Sequence, residues 1–246
     1  MLWKNKSPNK GVLMEQKPVA LKALDALSVI LLGITVYLAL VFAPTEAVMG
    51  DVQRVFYIHV ATAWVGMLGF IAAIIPAVVY LRTQNLKWDR VEVAAIEISV
   101  VFFFLAIVLG SIWARPAWNT WWKWEPRLTT AAITELLYIA YFMLRQGIDD
   151  PDRRARFGAV YTLVAAVSVP ITFMSIRWID RTLHPVVIGG SNPGAEGGFA
   201  MTADMRIAFF FALFSFTVIF VDLFWNRIRL GELQEKVEQL KLKVTM

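Results

Sequence analysis

The sequence predicts an all-α membrane protein that is a bundle of six transmembrane helices. Of its 246 residues, 58% are hydrophobic and only 17% are charged, which is less charge than a soluble domain of this length carries. Apolar runs of about twenty residues recur along the chain, and a helix of that length crosses a bilayer. No segment alternates apolar and polar residues over the length of a barrel strand. The spanning elements are therefore expected to be helices, which satisfy their own backbone hydrogen bonds in lipid.

The composition also excludes several classes of protein. The chain has no cysteine, which excludes disulfides, thiolate metal sites and a CxxC redox pair. Its net charge of +5 does not indicate nucleic-acid binding, because Lys and Arg in a membrane protein mostly mark the cytoplasmic side.

Six apolar runs define the predicted spans. They lie at about 23–43, 55–81, 91–113, 128–144, 157–176 and 203–225. The basic segment 1–22 is predicted to be a cytoplasmic N-terminus, because the first apolar run is long enough to span and lacks the small-residue site of a cleaved signal peptide. The spans and their loops form one domain over 23–226, with a tail over 227–246.

The distribution of Lys and Arg predicts that both termini lie inside. With the N-terminus inside, 17 of the 24 basic residues fall on inner segments. The seven outer ones are Arg54, Arg115, Lys123, Arg127, Arg177, Arg181 and Arg206. This asymmetry follows the positive-inside rule and gives an N-in, C-in topology.

The tail over 227–246 is predicted to be a cytoplasmic helix. Its apolar residues recur at three- and four-residue spacing with Glu and Lys between them: Leu230, Leu233, Val237, Leu240 and Val244. The pattern suits a short coiled coil or a partner-docking helix, and equally an amphipathic extension lying on the membrane. The Gly-rich stretch 189–198 is predicted to be an outer loop.

The predicted outer loop 113–129 contains five of the ten tryptophans within twelve residues. An interfacial aromatic belt explains one or two tryptophans per helix end, and it accounts for Trp88 and Trp225. A dense cluster favours a platform for a large planar ligand. The spacing of Trp118, Trp121 and Trp122 suits one face of a short amphipathic helix.

The only two histidines, His59 and His184, are both predicted on the outer side. Imidazole is a good axial ligand for haem iron, and two imidazoles on opposite faces make a six-coordinate site. One histidine alone is more often a hydrogen-bonding group, but two beside the Trp loop favour ligation. Arg127 adjoins the same loop and is expected to pair with ligand carboxylates, while other outer arginines suit lipid headgroups.

Three separated motifs resemble the tryptophan-rich "WWD" family of haem-handling proteins in cytochrome c maturation. The first is the run 118–129, which contains Trp118, Trp121, Trp122, Trp124, Glu125 and Arg127. The others surround His59 over 56–64 and His184 over 177–185. The length and the six spans are similar to the haem exporter protein C (CcmC) branch, and not to the larger CcsA-type synthetases. The resemblance covers about residues 20–225.

The resemblance implies a haem-binding protein of the bacterial inner membrane that is not an enzyme. His59 and His184 would be the axial ligands of a non-covalently held haem b. Trp118, Trp121, Trp122, Trp124, Glu125 and Arg127 would complete the site. The implied partners are a periplasmic haem chaperone (CcmE-like), ABC transporter subunits (CcmA- and CcmB-like), a small subunit (CcmD-like) and membrane lipid, with no nucleic acid.

Two positions depart from the family pattern. Asn119 stands where the family usually has Gly, and Asn tolerates unusual backbone angles better than most residues. Glu125 stands where the family has Asp, which keeps the carboxylate and moves it by one methylene.

Other functions compete with haem delivery. A b-type electron-transfer subunit usually places its histidines inside the bundle, whereas neither histidine is predicted at mid-membrane depth. A secondary transporter needs ionisable groups near the midplane, where Glu97 is the notable candidate, although a buried hydrogen bond also explains it. A CcsA-type haem lyase needs a sizeable periplasmic domain that the chain lacks, and a purely structural subunit leaves the tryptophans unexplained.

Overall fold

Eight α-helices and one π-helical turn form the described part of the chain. The structure, a computed structural model, describes residues 16–47, 49–179, 182–186 and 201–245, with side chains as far as 243. The helices are α1 (Val19–Tyr37) with its π-helical turn (Leu38–Phe42), α2 (Gln53–Ala72), α3 (Ile74–Thr83), α4 (Leu86–Trp118), α5 (Pro126–Gln146), α6 (Pro151–Ala165), α7 (Ser168–Trp178) and α8 (Ala203–Thr245). The predictions for residues 1–15, Arg181 and the stretch 189–198 fall outside the described residues.

The six predicted spans are confirmed. Six helical segments are long and apolar enough to cross a membrane: Val19–Phe42, Gln53–Thr83, Leu86–Trp118, Pro126–Gln146, Pro151–Trp178 and Ala203–Lys243. Successive spans run in opposite directions, so the loop 119–125 lies at the same end of the bundle as the described residues of the loops after the first and fifth spans, 43–47, 49–52 and 182–186. We call this the Trp-loop end, and the described ends of the chain lie at the opposite end.

Two spans consist of two helices each, and a proline explains both interruptions. The second span changes from α2 to α3 at Ala73, three residues before Pro76. The fifth span changes from α6 to α7 at 166–167, just before Pro170. Proline has no N–H to donate to the carbonyl four residues earlier, and its ring crowds that turn, so the helix loosens there without ending the span.

The helices extend beyond the apolar runs because polar residues cap them. The Asn85 side chain accepts a hydrogen bond from the Lys87 amide at the start of α4, and the Asp150 side chain accepts one from the Arg153 amide at the start of α6. Such caps satisfy amides that have no partner within the helix. Hydropathy identifies the membrane-spanning portion, whereas capping decides where the helix begins.

Close packing of α2 against α4 positions the wall of the later site. A Cβ on Gly69 would lie 2.0 Å from the Ser99 hydroxyl, and a Cβ on Gly66 would lie 2.9 Å from the Cβ of Phe103. Small residues let two helices approach closely inside a bilayer, where apolar burial alone does not drive association. The glycines therefore fix the spacing of these two helices.

Buried polar pairs join the helices towards the opposite end. Arg145 donates two hydrogen bonds to Asp89, at 2.6 and 2.9 Å. Glu92 is fully buried and accepts hydrogen bonds from the Tyr141 and Thr162 hydroxyls, at 3.2 and 2.7 Å. Charges in a bilayer are costly unless they are paired, so these contacts hold α4, α5 and α6 in register. Glu97 forms an ion pair with Arg227 of α8, and both side chains are partly exposed.

The tail is helical as predicted, but it is not a separate helix. Helix α8 runs without a break for 43 residues, from Ala203 to Thr245. Arg90 at the start of α4 pairs with Glu232 and Glu235, which holds the tail against α4. A tail lying on the membrane would need a turn near residue 227. The unbroken helix favours a tail that continues straight from the last span.

Candidate functional site

A large cavity opens among the helices at the Trp-loop end. Its volume is about 1110 Å³, including the open space at its mouth. Helices α2, α4, α5, α7 and α8 line it together with parts of the loops 119–125 and 179–202. Its walls are mostly apolar and aromatic, and apart from indole N–H groups its polar side chains are few: two histidines, two arginines and Ser111. A pocket of this kind suits a large apolar ligand with a few charged or metal-binding groups.

His59 reaches this cavity from the second turn of α2. Its Nδ1–H donates to the carbonyl oxygen of Ala106 on α4, at 2.8 Å. Gly110 makes room for the ring, since a Cβ there would lie 2.8 Å from Cε1 of His59. With Nδ1 protonated and held by a carbonyl, Nε2 carries the lone pair that binds a metal.

His184 faces His59 across the cavity. The centroids of the two imidazole rings are 6.5 Å apart, and their planes are inclined at 49°. Nδ1 of His184 lies 3.2 Å from the carbonyl oxygen of Pro185. Burial and the nearby positive charge of Arg127 lower the pKa of His184 well below its usual range. The imidazole is therefore neutral at pH 7, which is the form that coordinates metals.

The spacing of the two rings matches one metal ion bound between them. Metal–imidazole bonds are about 2 Å long, so two in line, with the depth of both rings, separate the centroids by roughly 6 Å. Among the described residues, no group of three or more His, Cys, Asp or Glu side chains is placed to hold a metal. Two imidazoles alone suit an iron whose other four ligands come from a macrocycle, which is the case for haem.

Two arginines lie in the cavity wall. Arg127 donates to the carbonyl oxygens of Thr172 and Phe173 on α7, at 2.7 and 3.1 Å. Arg177 donates to Phe173 at 3.1 Å, and its guanidinium lies 4.6 Å from the centre of the Phe173 ring. Within the described residues Arg127 makes no ion pair, and a guanidinium has five N–H donors. Donors on Arg127 beyond those two bonds are available for a ligand carboxylate.

The tryptophans of the loop divide between the cavity and the surface. Trp118 and Trp122 line the cavity, together with Trp113. The side chains of Trp121 and Trp124 do not line it, and they are 58% and 77% exposed. The indole N–H groups of Trp113 and Trp122 are buried without a hydrogen-bond partner among the described residues, so the cavity wall holds donors that a ligand can satisfy.

The predicted short amphipathic helix carrying Trp118, Trp121 and Trp122 is wrong. Helix α4 ends at Trp118, and the residues from 119 to 125 are not helical, so the loop is shorter than the expected 113–129. The cause is Asn119, which adopts a left-handed conformation with φ of 54° and caps α4. Asn is one of the few non-glycine residues that occupy this region readily, which explains how it replaces the family's Gly.

Glu125 lies beside the cavity and not in its wall. Its side chain caps α5 by accepting a hydrogen bond from the Leu128 amide at 2.8 Å. It also accepts a hydrogen bond from the Thr182 hydroxyl. Glu125 therefore holds protein groups, whereas the resemblance places it among the residues that complete a haem site.

Several residues of the site were not recognised in the sequence. Gly110 and Thr182 act through contacts that are distant along the chain, and Arg177 was grouped with the surface charges. Trp64 of α2, the last residue of the motif over 56–64, also lines the cavity. The motif that surrounds His59 is the one signal that marks Trp64.

Comparisons with known proteins show the family to which the chain belongs. The family described as "CcmC: Heme exporter protein C" matches residues 2–243. The chain is 33% identical to "Heme exporter protein C" of Bradyrhizobium diazoefficiens over 219 residues, covering 89% of this chain and 81% of that protein. It is 31% identical to the protein of the same name from Haemophilus influenzae, covering 87% and 85%. For the Escherichia coli K12 protein of that name the identity is 34%, over 58% of each chain. The chain belongs to the haem exporter protein C family, as a multi-pass membrane protein.

Proposed function

We propose that this protein binds haem at its Trp-loop end and delivers it for cytochrome c maturation. The observation that carries the proposal is the pair of imidazoles, His59 and His184, whose centroids lie 6.5 Å apart in one cavity. Relatives over most of the chain are named for haem export, which supports the same cargo. The haem would be haem b, held without a covalent bond, since the chain has no cysteine for thioether attachment.

The chemistry of the cavity fits the whole haem molecule. Neutral imidazoles ligate the iron, and the apolar wall with Trp118 and Trp122 contacts the porphyrin by stacking and area burial. Arg127 and Arg177 lie in the same wall and are suited to the propionate carboxylates. The protein would present haem in one orientation and form no new covalent bond, so we propose that it acts as a carrier and not as an enzyme.

The position of the cavity supports delivery to a water-exposed partner. We propose that the Trp-loop end faces the periplasm, because most Lys and Arg residues lie on segments of the opposite end. Haem held there would pass to a periplasmic chaperone of the CcmE kind. The complex would include ABC transporter subunits like CcmA and CcmB, and a small subunit like CcmD, in the bacterial inner membrane.

An absorption spectrum of the purified full-length protein tests this function. We expect a Soret band typical of six-coordinate b-type haem. Replacing either histidine, as His59→Ala or His184→Ala, should lower haem retention at least about 10-fold, because each removes an axial ligand. Trp225→Ala is the control, since Trp225 lies in α8 outside the cavity lining. Spectra and retention unchanged in both histidine variants would remove these residues as ligands.

A further inference from the structure

Glu125 and Thr182 connect the two loops of the Trp-loop end through a chain of hydrogen bonds. One oxygen of Glu125 accepts from the Leu128 amide at 2.8 Å, and the other accepts from the Thr182 hydroxyl. The Thr182 hydroxyl oxygen in turn accepts from the backbone amide of His184, at 3.2 Å. Both side chains are buried, with 8% of Glu125 and 1% of Thr182 exposed. A continuous path of contacts therefore runs from the first turn of α5 to His184.

The two histidines differ in how they are fixed. His59 lies on a helix, and its ring is bonded to the backbone of another helix. His184 lies between α7 and α8, and among the described residues its ring bonds to the carbonyl of the adjacent residue, Pro185, and to no other group. That bond does not tie the ring to the rest of the protein. The direction of the His184 ring therefore depends on how its backbone is held.

Holding that backbone in advance favours ligation. A metal-coordinating side chain on a flexible backbone must be ordered when the metal binds, and ordering each residue costs about 1–2 kcal/mol of conformational entropy. Thr182 is two residues from His184, and its contact with Glu125 orders this stretch in the protein itself. Pre-ordering of this kind lowers the cost of binding.

We propose that Glu125 and Thr182 are positioning residues that hold the imidazole of His184 opposite His59. Neither residue lines the cavity, so they act on the ligand through His184. The proposal rests on the proposed function, because it assigns these residues a part in axial ligation. It also gives Glu125 a role different from direct contact with haem.

The residue types match this role. A carboxylate is an acceptor only, and both oxygens of Glu125 are used to accept. A threonine hydroxyl donates to Glu125 and accepts from His184 at the same time, which serine also does and valine does not. Thr182→Val keeps the size of the side chain and removes both bonds, whereas Thr182→Ser keeps them.

The spin state of the haem in the purified full-length protein tests the proposal. In Thr182→Val we expect part of the haem to become five-coordinate and high-spin, with retention lower by about 10- to 100-fold, as for other groups that orient metal ligands. Added imidazole should restore the six-coordinate spectrum, because the site lacks only a correctly placed ligand. Thr182→Ser should resemble the unsubstituted protein.

Thr130→Val is the matched control for this substitution. Within the part of the chain that the structure describes, the Thr130 hydroxyl donates only to carbonyls of its own helix, at 2.8 Å to Pro126 and 3.1 Å to Arg127. If Thr182→Val and Thr130→Val have equal spectra and equal retention, the proposal is overturned. It is also overturned if high-spin haem forms in Thr182→Val and added imidazole does not reverse it, because the pocket itself is then damaged.

A measurement on haem-free protein separates this proposal from the proposed function. We expect amide hydrogen exchange across 182–186 to be faster in Thr182→Val than in Thr130→Val, since the amide of His184 loses its acceptor. Equal exchange in the two variants contradicts the positioning role even if haem binds. Haem absent from the unsubstituted protein, with exchange changed as expected, contradicts the proposed function and leaves the contact between Thr182 and His184 intact.

Discussion

The imidazole of His59 depends on the absence of a side chain at Gly110. The ring lies over α4 between the carbonyl of Ala106, which it contacts at 2.8 Å, and Gly110, whose Cβ would lie 2.8 Å from Cε1. Contacts under about 3 Å between such atoms force one group to move, because protein interiors are close-packed. Gly110 thus sets the position of the His59 ring, and with it of Nε2, on this side of the cavity.

Gly110→Ala is expected to lower haem retention about 10-fold by displacing the His59 ring from Ala106. Alanine raises helix propensity over glycine, so weaker haem binding would not come from a weaker helix. The measurement is the Soret absorbance that remains after dialysis against a haem acceptor. Gly33→Ala is the control, since a Cβ at Gly33 meets nothing within 4 Å. Equal haem retention in the two variants would show that His59 does not need this space.

At this scale the sequence identified residues by type, and it missed those that act by position. His59, His184 and Arg127 carry unusual chemistry for a membrane protein, and all three line one cavity. Their part in haem binding stays a prediction. Gly110 and Thr182 have no distinctive chemistry, and their importance comes from contacts with residues that only the fold brings near. Glu125 was recognised by resemblance, but its contact with Thr182 could not be predicted, because only the fold brings these two residues together.

Hydropathy predicts the membrane spans of this chain, but it does not predict where each helix begins and ends. The six spans follow from apolar composition alone, because a bilayer demands one apolar helix per crossing. The end of α4 depends instead on Asn119, and the start of α5 on the Glu125 cap. The spacing of Trp118, Trp121 and Trp122 predicted a helix across this stretch. The left-handed conformation of Asn119 instead ends α4 there. The tryptophans are thereby divided between the cavity wall and the exposed surface.

Substitutions at Asn119 should separate backbone geometry from side-chain chemistry. Asn119→Gly should keep the fold, because glycine occupies the left-handed region without strain. Asn119→Val should destabilise the protein by about 1–2 kcal/mol, because a β-branched residue is disfavoured at φ of 54°. Thermal unfolding in detergent gives the order of stability. An equally stable valine variant would mean that the turn does not need this conformation.

At the scale of the whole molecule, the sides of the membrane are a prediction from charge. The bundle places the described loop residues 43–47, 49–52, 119–125 and 182–186 at one end, and 84–85 and 147–150 at the other. The alternation of spans requires this grouping, whichever end faces the periplasm. The number of crossings is thus a matter of hydropathy, whereas orientation is inferred from the bias of Lys and Arg.

Single-cysteine labelling tests the orientation directly, because the chain has no cysteine of its own. A membrane-impermeant maleimide added to intact spheroplasts should label Thr45→Cys at the Trp-loop end. It should reach Gln84→Cys, which is exposed at the opposite end, only after the membrane is broken. The reverse pattern would place the cavity on the cytoplasmic side and contradict delivery to a periplasmic chaperone.

Helix α8 makes the two ends of the molecule mechanically continuous. At 1.5 Å per residue its 43 residues form a rod about 65 Å long. Leu213 of this helix belongs to the cavity wall, and Glu232 and Glu235 form ion pairs with Arg90 towards the opposite end of the bundle. Because α8 is uninterrupted between these points, we expect a displacement of its tail to move Leu213 and the cavity wall with it.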